Sequence, residues 1–453
     1  MTEGWKPVSI GDFCKTDEIQ LQTGPFGSQL HSYDYVTEGV AVVPTVAISN
    51  GRIDHSALPR IAPDKALALG RHKLELNDIL FARRGAQATG KTARVRPEER
   101  GFICGTGAIR LRVTAGSKRI FAPFLAALLG DKSSIDWLMF HAIGATMPNL
   151  NEGIIKSFQF VLPPLPEQRA IAATLSALDD KIEVNRQMNE TLEAMARALF
   201  RDWFVDFGPT RAKMTGIAPY LSPDLWSLFP DSLDDAGKPE GWEFSTIGSL
   251  THRVTKGTTP TKQQVTAALD EAWINFLRVN NLSEDGKLLL GNTVKVAQSV
   301  HEGALRRSIL QQDDLLYSIA GTIGRVAKTP KDVLPANVNQ AIAIVRPNPE
   351  LASPNYLLLW LSDEGFQNDL HSNIVQAVQA NLSLGMLSDA RILVPPREIH
   401  TTLLRPIDAL LERKAHNERE SRTLAQTRNL LLPRLMSGEL RVAEAERTVE
   451  AVL

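Results

Sequence analysis

Ile171, Leu175, Leu178, Ile182, Asn185, Asn189, Leu192, Ala196, Leu199 and Trp203 recur at alternating intervals of four and three. This is the a/d seam of a helix lying along a second helix, held for more than four heptads within residues 163–207. Pro164 and Pro166 fall before or in the first turn, where a missing N–H costs little, and Glu167 suits the positive end of the helix dipole. Gly208-Pro209 stops the pattern. Sliding the chain by 232 residues lays Pro163-Pro164 on Pro395-Pro396 and carries the seam onto Leu403, Ile407, Leu410, Lys414, Asn417, Ser421, Leu424, Arg428, Leu431 and Leu435. Both seams are apolar at the ends and polar in the middle. Antiparallel pairing with aligned centres sets Asn185 against Ser421 and Asn189 against Asn417, and polar seam residues of this kind fix register and partner. Leu178 and Leu410 are expected to share one core. Pro406 should kink or restart the second helix, and Pro433 should end it near Leu432.

The repeat also defines the domains. Gly4-Trp5 through Ile10-Gly11 returns as Gly241-Trp242 through Ile247-Gly248, and Asp78-Ile79-Leu80-Phe81 returns as Asp314-Leu315-Leu316-Tyr317. Short strands are predicted over Val40–Ile48, Ile79–Arg83 and Ile109–Val113, then over Ile274–Val279, Leu315–Ile319 and Ala341–Val345. The fold class is α+β: two similar mixed α/β domains separated by a long antiparallel two-helix coiled coil, with a pseudo-twofold internal repeat. Its boundaries are 1–162 for the first domain, 163–207 for its helix, 241–394 for the second domain and 395–440 for its helix, with a tail at 441–453. Residues 208–240, rich in Pro, Gly and Asp, are predicted to be an extended surface linker.

Composition changes this picture little. With 453 residues, 43% hydrophobic and 22% charged, the chain is ordinary for a soluble multidomain protein. No signal peptide and no membrane-length apolar run is visible, and Cys14 and Cys104 are the only cysteines. A cytoplasmic location without disulfides or zinc is therefore expected. The net charge of −1 hides an asymmetry: residues 1–160 carry about four more basic than acidic groups, whereas 241–394 are slightly acidic.

Four segments carry a resemblance: L-P-P-L-P-E-Q-R at 162–169, L-F-R-D-W-F-V-D-F-G-P-T-R-A-K-M at 199–214, L-F-P-D-S-L at 228–233 with P-E-G-W at 239–242, and L-L-P-R-L-M-S-G-E-L at 431–440. With the repeat, they make nearly the whole chain resemble the specificity (S) subunit of type I restriction-modification systems. The resemblance implies a non-catalytic chain in which each target-recognition domain reads half of a bipartite, asymmetric site on double-stranded DNA. It implies that the helix pair sets the spacer and docks two methyltransferase (modification) subunits, with ATP-using motor-nuclease (restriction) subunits joining for cleavage. S-adenosylmethionine, ATP and Mg are expected on those partners and no cofactor on this chain. The holo-complex would be a DNA adenine methyltransferase and ATP-dependent endonuclease. Rod residues Arg169, Glu183, Arg186, Arg197 and Arg201 are candidates for partner contact.

The residues themselves suggest where DNA is met. Glycine-containing turns follow the Asp-Ile/Leu-Leu strands, and Arg, Lys, Gln and Thr beside them offer donors to phosphates and base edges. The candidates are Ser28, Gln29, Arg83, Arg84, Gln87, Thr89, Lys91 and Asn149 in the first domain. In the second they are Lys256, Thr258, Thr259, Arg278, Thr322, Arg325, Gln379 and Asn381. Gly85 to Thr92 fits the phosphate-binding G-x-x-x-x-G-K-T pattern, which keeps a P-loop NTPase as an alternative. Against it, Arg96-Pro97 leaves no room for the required helix, and the second half carries Gly321-Thr-Ile-Gly-Arg there. No paired metal-ligand spacing and no nucleophile elbow is present. The third alternative is a coiled-coil interaction scaffold that does not touch DNA.

Overall fold

The computed structural model describes residues 4–49, 51–85, 88–144, 148–266, 271, 273–291, 293–376 and 381–452. The chain divides into two compact units, Met1–Gln187 with Asn417–Leu453, and Met188–His416. Each long helix therefore contributes one half to each unit.

In the first unit an antiparallel sheet runs in the order Ile19–Thr23, Ala108–Val113, Ile79–Ala82, Thr92–Arg94. Side chains alternate across a strand, so Ile79 and Phe81 pack with Ile109 and Leu111 on the helices Ala122–Leu129 and Lys132–His141. Leu80 and Ala82 turn the other way, onto Val43, Ile48 and Cys104. Both faces are covered, which is why I-L-F-A is apolar throughout. The expected strand Val40–Ile48 breaks at Pro44, which has no N–H to donate: Val40–Val43 is followed by a 3-10 turn at Thr45–Ala47 and a short strand Ile48–Ser49. Near the N-terminus, Lys6–Ser9 pairs antiparallel with Gln159–Leu162.

The second unit repeats the plan. Its antiparallel sheet runs Thr251–Lys256, Ile342–Pro347, Leu315–Ser318, Val326–Lys328. Leu315 and Tyr317 join the larger core with Tyr356 and Leu357, while Leu316 faces Leu277 and Val338. Glu243–Thr246 pairs with Arg391–Val394. The repeated Asp has one job in both units. Buried Asp78 accepts two bonds from Arg112, at 2.7 and 2.6 Å, and one from Glu75 N–H. Buried Asp314 likewise accepts two from Arg346, both at 2.7 Å, and one from Gln311 N–H.

The first long helix spans Leu165–Phe200 and continues as a π-helical turn at Arg201–Val205; the second spans Arg397–Met436. In the first unit Ile171, Leu175 and Leu178 are buried with Leu424, Leu431 and Leu435, and Ile182 packs against them. Each such leucine contributes roughly 1.5–3 kcal/mol. Asn185 Nδ2 donates to Glu420 Oε2 at 2.6 Å and to Ser421 Oγ at 3.3 Å, and Arg428 pairs with Asp179 at 2.6 Å. One number rises as its partner falls, so the halves run antiparallel with Asn185 facing Ser421. In the second unit Ala196, Phe200 and Trp203 bury against Leu403 and Ile407, Leu199 and Leu410 pack at the margin, and Lys414 pairs with Glu193 at 2.9 Å. Leu192 is half-buried, and Asn189 and Asn417, one in each unit, are both buried.

Three expectations need correction. Leu178 and Leu410 lie in separate cores. Antiparallel pairing makes this necessary, because it sets Leu178 beside the turn that holds Arg428 and Leu410 beside the one that holds Ala196. The second helix passes through Pro406 and Pro433 without ending. Leu403, Leu404 and Ile407, buried on either side of Pro406, keep the helix continuous despite the lost hydrogen bond. Residues 208–240 are not simply extended: they form helices at Gly208–Met214 and Pro223–Trp226. Phe229 enters the core against Trp203 at 5.8 Å, and apolar burial overrides the turn-rich composition.

Candidate nucleic-acid interface

Both units build the same three-loop junction from backbone hydrogen bonds. After Ile79–Ala82 the turn closes with Gly90 N–H on Ala82 O (3.0 Å) and Ala82 N–H on Lys91 O (2.9 Å). After Leu315–Ser318 it closes with Gly324 N–H on Ser318 O (3.1 Å) and Ser318 N–H on Arg325 O (2.9 Å). Arg83 N–H reaches Gly107 O and Leu150 N–H reaches Arg83 O; in the second unit Ile319 N–H reaches Ala341 O and Leu382 N–H reaches Ile319 O. Gly24 and Gly257 complete the match by donating to Ala108 O and Ile342 O. No side chain fits at either glycine: a Cβ would stand 2.1 Å from Gly105 O or from Val338 O. The backbone frame is duplicated, whereas the side chains it presents differ.

The candidates divide by how their polar atoms are used. Arg83 Nε donates to Asn149 Oδ1 at 3.0 Å and to Leu150 O at 3.1 Å, and buried Thr89 donates to Gly85 O and Pro148 O. Arg325 spends its guanidinium on Leu282 O at 2.9 Å and Glu284 at 3.1 Å, and Thr259 donates to Gln340. These groups hold the loops in shape. Ser28, Arg84, Lys256, Thr322 and Asn381 are exposed, with Lys91 and Thr258 half-buried. The Arg84 side chain lies over Gly107, whose φ of +92° disfavours any residue with a Cβ. Arg278 is exposed and stacks over Phe276 at 5.9 Å. Gln87 and Gln379 lie outside the described residues.

Sequence reasoning missed Arg71. Burial and the neighbouring Arg71 and Arg110 push His72 down to about 4, so its neutral ring accepts from Arg71 Nε at 2.9 Å. Arg71 then reaches Gln29 Oε1 at 3.2 Å, and the same oxygen accepts from Phe26 N–H. A chain of bonds thus fixes the loop that exposes Phe26 and Ser28, across 42 residues that no local pattern links. Tyr33, Val46 and Trp273 are exposed, which only an exposure map distinguishes from a place in the core.

The rod candidates are mostly occupied. Glu183 holds both Arg52 and Arg186, Arg197 pairs with Glu193 at 2.7 Å, Arg201 pairs with Asp206 at 3.3 Å, and Arg169 stacks on Phe121 at 5.2 Å. The P-E-Q-R segment has a structural role: Glu167 accepts from Trp5 Nε1 at 3.0 Å, and buried Gln168 bonds Phe121 N–H, Arg119 O and Pro163 O, each at 2.8 Å. At Gly85–Thr92 the chain passes into the strand Thr92–Arg94, so no helix N-terminus follows to receive a phosphate. Among the described residues no cluster of three or more His, Cys, Asp or Glu could hold a metal ion, and no helix is long and apolar enough to cross a membrane.

A duplicated mixed α/β domain, each copy carrying exposed basic and polar loops and half of two long antiparallel helices, defines a target-recognition protein. The type I restriction modification DNA specificity domain matches twice, over residues 2–194 and 239–423, so the chain belongs to the family of type I specificity (S) subunits. The HindI specificity subunit of Haemophilus influenzae is 23% identical over 96% of this chain and 99% of its own length. The MjaIX specificity subunit of Methanocaldococcus jannaschii is 23% identical over 72% of this chain and 70% of its own. The crystal structure of an S subunit from M. genitalium superposes with a TM-score of 0.56 at 16% identity, covering 96% of both chains, which shows a shared fold. Membership supports a DNA sequence-specificity role for a non-catalytic subunit that assembles with other restriction-modification subunits.

Proposed function

We propose that each unit reads one half of a bipartite, asymmetric site on double-stranded DNA, and that the helix pair sets the unread spacer and docks two methyltransferase subunits. The observation that carries this is the duplicated loop junction with unlike side chains: one backbone frame presents Ser28, Arg84 and Lys91 in one unit and Lys256, Arg278, Thr322 and Asn381 in the other. Equal frames give equal approach to a duplex, and unlike donors give unlike half-sites. The 36 residues of the first helix rise about 54 Å, which exceeds the roughly 34 Å of one duplex turn. Partner subunits would bring S-adenosylmethionine, ATP and Mg, flip the target adenine and supply the positive surface that the second unit lacks. Methylome mapping in a host carrying the three genes tests the reading. Methyladenine in two short unlike motifs separated by a fixed unread gap is expected. A continuous palindrome would overturn it, and an unmethylated genome with no retention on duplex DNA would favour a scaffold.

A further inference from the structure

A cleft of about 520 Å³ opens in the first unit, away from the three-loop junction. Its floor is apolar, formed by Ala126, Ala127, Ala172, Leu175 and Leu432; its rim carries Arg52, Arg94, Arg96, Lys132 and Arg428 against Asp131 and Asp179. The carboxylates are already engaged. Asp179 pairs with Arg428 at 2.6 Å, and Asp131 caps its helix through Ser133 N–H at 3.0 Å. Arg52 is held by Glu183 and by Asp179 O, and Lys132 pairs with Asp136. Arg94 and Arg96 remain: both are half-buried, and among the described residues neither guanidinium has a hydrogen-bond or ion-pair partner. Burial and the nearby positive Arg96 hold Arg94 below the usual arginine range, and Asp180, Asp179 and Glu99 offset this only through space.

The repeat supplies an internal control. Arg94 pairs across the sheet with Ile79, and Lys328 pairs in the same way with Leu315. Lys328 is satisfied where it stands: it donates to Asn355 Oδ1 at 2.6 Å, Asn355 in turn donates to Asp408 at 2.7 Å, and Asp313 lies 3.9 Å from the ammonium. The same structural position thus has direct hydrogen-bond and ion-pair partners in one unit and, among the described residues, none in the other.

We propose that this cleft binds a phosphate-bearing small molecule of nucleotide size, its phosphates on Arg94 and Arg96 and its remainder on the Ala-Leu floor. Guanidinium forks match phosphate oxygens, and a recessed volume in the usual range for small ligands admits a nucleotide but not a duplex. Because the rim includes Asp179 and Arg428 on the two long helices, a bound anion would brace the recognition domain against them. The inference does not depend on how DNA is read.

Isothermal titration of the full chain with ADP, pyrophosphate, inorganic phosphate and a poly-glutamate peptide tests it. ADP or pyrophosphate should bind saturably, and Arg94→Gln and Arg96→Gln should each weaken binding about tenfold or more. Lys118→Gln, an exposed charge outside the cleft, should leave it unchanged. Circular dichroism checks that each variant is folded. ADP should bind more tightly than pyrophosphate, because only its nucleoside reaches the apolar floor; equal affinities would overturn that placement. No binding to the folded wild type at millimolar concentration would overturn the proposal. So would binding unaffected by both substitutions, or binding of the acidic peptide alone.

Discussion

Neighbouring arginines at the candidate interface have opposite fates. Arg83 bonds Asn149 and Leu150 and holds the turn; Arg84 lies exposed over Gly107. Arg84→Ala should therefore relax one base position in the first half-site by about 1–3 kcal/mol and leave the second half-site unchanged, as read by binding to a library of single-base variants. Arg83→Ala should instead lower the stability of the fold by on the order of 1–3 kcal/mol, because it strands Asn149 and Leu150 O. Sequence made the pair look alike; only the hydrogen bonds separate them. His400 is a second case. It stands at the repeat position of Gln168, buried against Tyr356 at 4.5 Å, and burial pushes it down to about 4 from an ordinary 6.5. The unfolded chain takes up this proton below about 6.5 and the folded chain does not until about 4. Stability is thus fully present above 6.5 and is lost as pH falls towards 4, by on the order of 3 kcal/mol at most. His400→Gln should flatten that slope in urea denaturation followed by tryptophan fluorescence. Five of the seven tryptophans belong to the second unit, so the signal reports mainly there.

Among the elements, the long helices were legible because a/d periodicity survives in any context that buries one stripe. Asn185 opposite Ser421 followed from the polar centre of both seams. What failed was local propensity set against burial. Pro406 sits ten residues into a helix that continues through it, with Leu403, Leu404 and Ile407 buried alongside. The lost N–H leaves Thr402 O without its helical donor, so Pro406→Ala should raise stability by about 1–3 kcal/mol, less a few tenths for the more flexible unfolded chain. Thermal denaturation reads the change, and an unchanged or lowered midpoint would mean that the proline ring is itself needed in the packing. Residues 208–240 failed in the same direction, since Phe229 and Trp242 outweigh the turn formers around them. The cleft was invisible for another reason. Arg52, Arg94 and Arg428 are far apart in sequence, and of the three only Arg428 belongs to a periodic stripe.

For the whole molecule, the proposed function makes helix length a ruler, and rulers can be extended. Seven residues inserted after Asn189 and seven after Asn417 preserve the a/d phase of both seams and add about 10.5 Å of rise. That equals about three base pairs at 3.4 Å each. Three base pairs also turn the duplex by roughly 100°, since a full turn takes about 10.5, whereas a coiled coil extended by one heptad turns little. One added heptad should therefore move the readers off the shared face of the duplex, so affinity falls sharply even for a site with a longer gap. Three added heptads give about 32 Å, close to one duplex turn, and should restore binding to the same two half-sites with a gap nine or ten base pairs longer. Methylation mapping on a plasmid library of gap lengths, using the assembled complex, reads both outcomes. A gap that stays fixed in every variant would mean that the recognition domains, not the helices, set the span.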